Sequence, residues 1–166
     1  PVLFDRGLVA PGVDAGYVDA PSAFGSKEFP GTVRQYNPGS QPFLKVNRHG
    51  ERFMNESQEY DNASHASFQQ PGHVYAMIHD ANYFEDVTRF HTIGCSAITR
   101  LVPGGMEKNL EKYVEEGLIM KADTIEELAD KMGFTGADKD TFIATVTRYN
   151  ELYDQQNDED FGKPAS

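Results

Sequence analysis

The chain has no tryptophan and one cysteine, Cys95, among its 166 residues. A single thiol excludes an intrachain disulfide and any zinc site built on paired cysteines. Its apolar Ile93-Gly94-Cys95-Ser96-Ala97-Ile98 surroundings read as those of a packed, inert side chain rather than a catalytic thiolate. No apolar run approaches the roughly 20 residues that span a bilayer. No secretory leader opens the sequence, which starts at Pro1-Val2-Leu3-Phe4. That start suggests a piece excised from a longer polypeptide, and it leaves open whether the parent is cytoplasmic or exported. Basic residues are scarce: 15 Lys and Arg stand against 26 Asp and Glu, a net charge of −11. Nucleic acid and anionic membrane are therefore poor partners. Nor does any Gly-x-Gly-x-x-Gly loop occur, so this chain does not hold a dinucleotide in the usual way.

What is present reads as one domain with a real core, since a chain of this size buries roughly 70% of its unfolded surface. Residues 1–41 carry Pro11-Gly12, Pro30-Gly31 and Asn37-Pro38-Gly39, turn signals dense enough to predict an irregular, loop-rich lead-in. Pro42 to Val46 predicts a first strand. Arg52-Phe53-Met54 is expected to pair back on it across Asn47-Arg48-His49-Gly50, a turn in which Gly50 supplies the positive φ. Val74 to His79 is a nearly continuous apolar run of the buried-strand type, and Asp80 can cap a short helix from Ala81 to Phe84. Leu110, Tyr113 and Val114 predict a helix over Glu107 to Glu116. Leu118 to Asp123 predicts another strand, and Thr124 with Glu127 is a capping-box signature for a helix from Ile125 to Met132. A last amphipathic helix starts at Asp138 or Asp140, with Phe142, Ile143, Val146, Tyr149 and Tyr153 on its apolar stripe. The fold class expected is α+β: a small mixed sheet with three or four helices.

Several constellations carry little chemistry. All five histidines, His49, His65, His73, His79 and His91, lie at irregular intervals, and only Asp61 and His65 share a helix face, so they read as scattered surface or core residues. The acidic stretch Asp154 to Asp160 has its glycine and glutamate out of place for a calcium loop and reads as a solvated connection. Ser57 and Ser96 lack the His and Asp pattern of a hydrolase.

The run Phe43-Leu44-Lys45-Val46-Asn47-Arg48-His49-Gly50-Glu51-Arg52-Phe53-Met54-Asn55-Glu56 is different. It resembles the VN-x-x-G-x-RF-x-NE segment of FAD-dependent fumarate reductase-like and 3-ketosteroid dehydrogenase-like flavoproteins. Gly117 to Ala129, Thr145 to Asn150 and Asp158 to Gly162 are similar to that family's capping-domain strand and helix, its final helix and its exit loop. The resemblance covers roughly 43–162 in order; residues 1–41 are not placed by it. It implies a single capping (clamp) domain: lead-in 1–41, cap core 42–162, and 163–166 leading toward a Rossmann-like FAD domain of the same chain that the sequence does not contain. FAD would then bind the full-length parent and not this piece.

The resemblance also implies site residues. The position four past the Asn-Glu pair faces flavin and substrate in the family; in fumarate reductases it resembles a proton-delivering arginine, and here it is Tyr60, as in ketosteroid dehydrogenases. Hydride exchange with flavin N5 at one carbon requires proton exchange at its neighbour, and a phenol is suited to donate that proton. The plain alternative is a tyrosine that starts a helix. Arg52, Asn55 and Glu56 are the other substrate- or flavin-facing candidates, with Arg52 also suited to pair with a carboxylate and hold the hairpin. The Thr-Glu-x-x-Arg pattern of fumarate reductases is absent from Gln35-Tyr36-Asn37-Pro38-Gly39, and no histidine precedes His49. Both point away from fumarate and toward a less charged substrate with an activated double bond. The function expected is thus the capping domain of an FAD-dependent oxidoreductase that reduces or forms such a bond, inactive in isolation. The alternative is a non-catalytic module on the same fold that binds a small ligand or a protein. Self-association through the face meant for the FAD domain is a further expectation for the isolated piece.

Overall fold

A computed structural model describes residues 42–58, 60–73, 75–86, 114–115 and 120–165 of the chain. The lead-in 1–41, Cys95, His91 and most of the expected helix Glu107 to Glu116 lie outside the described residues; Val114 and Glu115 of that helix are helical.

Strand β1, Leu44–Val46, is buried at all three positions, Lys45 included, as a strand covered on both faces must be. Its ladder partner is β2, Ala76–Ile78, antiparallel, with Leu44 opposite Ile78 and Val46 opposite Ala76. Among the described residues the sheet is this antiparallel pair, where a small mixed sheet was expected. The hairpin return contributes less than its sequence suggests: Arg52 makes one isolated bridge to Val46 and no ladder follows. The cause is local. The Asn55 side chain accepts from Ser57 N at 2.9 Å and the Asn55 carbonyl accepts from Gln58 N at 3.2 Å, so the backbone turns before a second strand can extend.

The turn itself is organised by buried Asn47. Its Oδ1 accepts from the His49 and Glu51 amides at 2.9 and 3.1 Å, and its Nδ2 donates to Glu51 Oε2 at 2.9 Å and Gln70 Oε1 at 3.1 Å. Gly50 closes it at φ +75, where a Cβ would stand 2.7 Å from both Cβ and N of Phe142. Gly50→Ala should therefore cost at least ~2 kcal/mol, the left-handed strain of ~1–2 kcal/mol plus displacement of a core helix. A urea midpoint within error of the parent would contradict this.

Helix α1, Tyr60–Phe68, follows the hairpin, and a 3-10 turn at Pro71–His73 leads toward β2. Asp80 Oδ1 accepts from Asn82 N at 2.8 Å and starts the single turn α2, Tyr83–Asp86, two residues later than the sequence suggests. Of the expected strand Leu118 to Asp123, the described residues Met120 to Asp123 form no strand. The Lys121 carbonyl there accepts from Lys131 Nζ at 2.6 Å, so a side chain takes the place of a ladder partner.

Helix α3, Ile125–Lys131, has the expected cap: Thr124 Oγ1 accepts from Glu127 N at 3.1 Å. Its end is a Schellman turn on Gly133 (φ +83), with Phe134 N bonded to Ala129 O and Gly133 N to Asp130 O, both at 3.0 Å. That turn drops Phe134 into the core, stacked on Phe142 at 5.0 Å between ring centroids. Helix α4, Gly136–Gln155, begins behind Thr135, two residues ahead of the expected Asp138. It buries Phe142, Val146 and Leu152, while Tyr153 is 55% exposed. The last buried position of the helix is thus Leu152 rather than the expected Tyr153. The core gathers Leu44, Val46, Ala76, Ala129, Met132, Phe134, Phe142 and Val146 between sheet, α3 and α4. The class is α+β, and the described residues include three helices of seven residues or more and one single turn. Among the described residues no helix is long and apolar enough to cross a membrane.

Candidate functional site

Arg52 leaves the bridge to Val46 pointing inward, and its guanidinium is gripped from two sides. Nε and Nη2 donate to Glu56 Oε1 and Oε2, each at 2.8 Å, while Nη1 and Nη2 donate to Asp158 Oδ1 and Oδ2 at 3.0 and 2.8 Å. The three side chains are 7%, 0% and 7% exposed. The guanidinium carbon also lies over the rings of Tyr149 and Phe161, 5.0 and 4.8 Å from their centroids. Planar geometry makes this possible: an arginine can fill two carboxylates edge-on and two aromatic faces at once, and a lysine cannot.

The charges set each other. Burial alone would lower the Arg52 pKa, but the hydrogen bonds it donates to Glu56 and Asp158, with their negative charges, outweigh that and raise it. Burial alone would raise the Asp158 carboxyl; Arg52 and the amides of Lys163 and Phe161 instead hold it far below the ordinary carboxylate range. One guanidinium against two carboxylates leaves a negative balance, and Lys163 supplies the second cation. Its Nζ stands 5.0 Å from the Tyr149 ring centroid and donates to Tyr149 Oη at 2.5 Å and to the Pro42 carbonyl at 2.7 Å. Tyr149 Oη in turn donates to the same carbonyl at 3.3 Å. Desolvation pushes the Lys163 pKa down and the Tyr149 phenol up.

A depressed Asp158 pKa has a definite pH signature. Its contribution to stability is present above the unfolded-state value of about 3.9 and is lost as pH falls through the folded value. The stability gap between the parent and Asp158→Asn should thus be constant from about pH 5 to 7 and narrow below about pH 4. Urea titrations across that range test it; a gap that widens in acid would contradict the fork as the source.

A cavity of about 40 Å³ lies against Arg52, Tyr149, Asp158 and Lys163. That volume suits a water or two rather than an organic substrate. A wider groove of about 630 Å³ runs between α4 and the hairpin, lined by Glu51, Thr145, Arg148 and Phe161 among others.

No protein-family model matches the chain. Curated proteins do. A 3-oxosteroid 1-dehydrogenase of Mycolicibacterium smegmatis is 37% identical over 139 residues, which take in 78% of this chain and 21% of that protein. An NADH:acrylate oxidoreductase of Vibrio harveyi is 32% identical over 123 residues, 74% of this chain and 10% of that one. A vinyl phenol reductase of Lactiplantibacillus plantarum is 29% identical over 167 residues, 89% and 30% of the respective chains. The chain is a homologue of fumarate reductase-like and 3-ketosteroid dehydrogenase-like flavoproteins. It spans between a tenth and a third of the lengths of these relatives.

In this flavoprotein homologue the structure brings three of the four sequence candidates together. Arg52 and Glu56 form the fork with Asp158, and Asn55 Nδ2 donates to the Gly162 carbonyl at 3.1 Å and, more weakly, to that of Phe161 at 3.4 Å. Arg52 and Asn55 tie the hairpin to the loop 158–163, and Glu56 holds Arg52 from the hairpin side. Tyr60 is the first residue of α1, four positions past Glu56, and its backbone placement is what the structure describes. Asp158, Tyr149 and Lys163 were not read as site residues. Asp158 is a correction: the acidic stretch was expected to be a solvated connection, but the Asp158 side chain is buried against Arg52, while Asp154, Glu159 and Asp160 remain outside, the last two paired with Arg148. The available signal was Phe161-Gly162-Lys163, an aromatic and a cation in an otherwise acidic loop.

Proposed function

We propose that this chain is the substrate-capping part of an FAD-dependent oxidoreductase that reduces or forms an activated carbon–carbon double bond. The observation that carries the reading is its similarity to proteins named for acrylate, vinyl phenol, fumarate and 3-oxosteroids. These molecules share one chemical feature: an alkene, or a carbon–carbon bond to be desaturated, conjugated to a carbonyl, carboxylate or aromatic ring. An addition across such a bond needs a hydride at one carbon and a proton at the other.

On this reading FAD is held outside the described residues. The sequence has no glycine-rich phosphate loop, and the interior cations Arg52 and Lys163 are committed to Glu56, Asp158, Tyr149 and Pro42 rather than open to a pyrophosphate. FAD is assigned instead to a further part of the full-length protein, where it supplies the hydride chemistry. This chain's residues close over the substrate, exclude water and handle the proton, which we assign to Tyr60. Arg52, Asn55 and Glu56 hold the segment that leads to Tyr60. On this reading the 166-residue chain alone is inactive.

The test is the visible spectrum of the purified full-length protein, with the chromophore released by denaturation and identified. An oxidised-flavin spectrum and released FAD support the reading. A colourless, correctly folded full-length protein overturns it in favour of a binding module on the same fold.

A further inference from the structure

Two distant points of the chain meet at one ammonium group. Pro42 is where the backbone enters β1, and Lys163 is where it leaves the loop after α4. They are 121 positions apart in sequence and are joined by the 2.7 Å hydrogen bond from Lys163 Nζ to the Pro42 carbonyl. Tyr149, on the last helix, bonds to both partners. The contact is electrostatically costly, because a buried ammonium is desolvated and a methionine would fill similar volume without that cost. What the ammonium adds over a methionine is direction: it fixes one backbone carbonyl relative to one helix and one loop.

We infer that Lys163 and Tyr149 form a clamp that locks the entry and exit segments of the domain together, and that they are thereby positioning residues for the substrate-side residue Tyr60. The route is continuous. Lys163 N donates to Asp158 Oδ2 at 2.8 Å, Asp158 holds Arg52, Arg52 holds Glu56, and α1 opens with Tyr60 four residues later. Asn55 ties the same segment to the Gly162 carbonyl beside Lys163. With the clamp closed, entry segment, exit loop and the start of α1 are held together; with it open, the entry segment loses its direct tie to the exit loop and is joined to it only through the Arg52 fork and Asn55. The consequence for Tyr60 rests on the capping reading proposed above, whereas the clamp itself does not.

The test uses the full-length protein with Lys163→Met and Tyr149→Phe, both of which leave the Arg52 fork and its two aromatic contacts in place, and Lys163→Arg as a conservative variant. Hydrogen exchange read by mass spectrometry on peptides covering 43–48 and 157–163 reports the clamp without reference to activity. Each of the two disruptive variants should speed exchange in both peptides by about tenfold, the effect of losing one hydrogen bond of ~1–1.5 kcal/mol, with α3 unchanged and with partial rescue by Lys163→Arg. Substrate-driven flavin reoxidation on the same samples should slow, with a raised KM. Unchanged exchange in either peptide overturns the clamp. Faster exchange with unchanged reoxidation kinetics overturns the positioning role and leaves the capping reading standing. Absence of flavin from the parent protein itself overturns the capping reading and the positioning role together, and the exchange data separate that outcome from a failed clamp.

Discussion

Arg52→Met should destabilise the protein by ~3–5 kcal/mol, the range for breaking a buried ion pair by removing one partner. The variant leaves Glu56 and Asp158, 0% and 7% exposed at their side chains, facing each other without the guanidinium that separates them. For a chain of this size that corresponds to melting roughly 6–20 °C lower. Arg52→Lys should recover little of the loss, because an ammonium cannot serve two carboxylates and two ring faces in one plane. Replacing Arg52, Glu56 and Asp158 together by apolar residues of similar volume should recover most of it, since the penalty comes from the uncompensated charges rather than from the absence of an ion pair. Thermal and urea denaturation of the three variants test this. A loss below about 1 kcal/mol for Arg52→Met would place the fork among ordinary surface pairs.

The second large effect is on chemistry. In the full-length protein, Tyr60→Phe should slow substrate-driven flavin reoxidation by ~10²-fold or more while leaving flavin content unchanged, as expected for loss of a general acid. Stopped-flow absorbance separates the two quantities. The substitution removes one oxygen and keeps the ring, and for a tyrosine that merely opens α1 it would leave reoxidation as well as flavin content unchanged. Unchanged reoxidation would remove Tyr60 from the proton path. Arg52 and Tyr60 thus make opposite predictions: the first governs folding, and the second governs turnover with folding intact.

Much of the fold was legible because local chemistry and tertiary structure agree. Thr124 and Glu127 stand at capping-box spacing and the cap forms there; Val74 to His79 is an apolar run and β2 lies inside it. The hairpin return was misread where long-range chemistry overrides local pattern. Arg52-Phe53-Met54 has the composition of a strand, but Arg52 is drawn to Asp158, 106 positions away, and the backbone turns at Asn55. No window of sequence contains both partners of that contact. The candidate site divides in the same way. Arg52, Asn55 and Glu56 could be picked out from a contiguous motif, whereas Asp158, Tyr149 and Lys163 matter through their placement around that motif. Lys163 in particular looks like one more exposed lysine until Pro42 and Tyr149 are seen against it.

The most direct test of the account is anaerobic reduction of the full-length protein followed by addition, in separate cuvettes, of a neutral enone, an aryl acrylate and fumarate. The account predicts that the reduced flavin is reoxidised by at least one acceptor with an activated double bond, by the neutral or aryl acceptors faster than by fumarate, and by none of the saturated analogues. A reduced flavin that all three leave untouched, and that only dioxygen reoxidises, would contradict it.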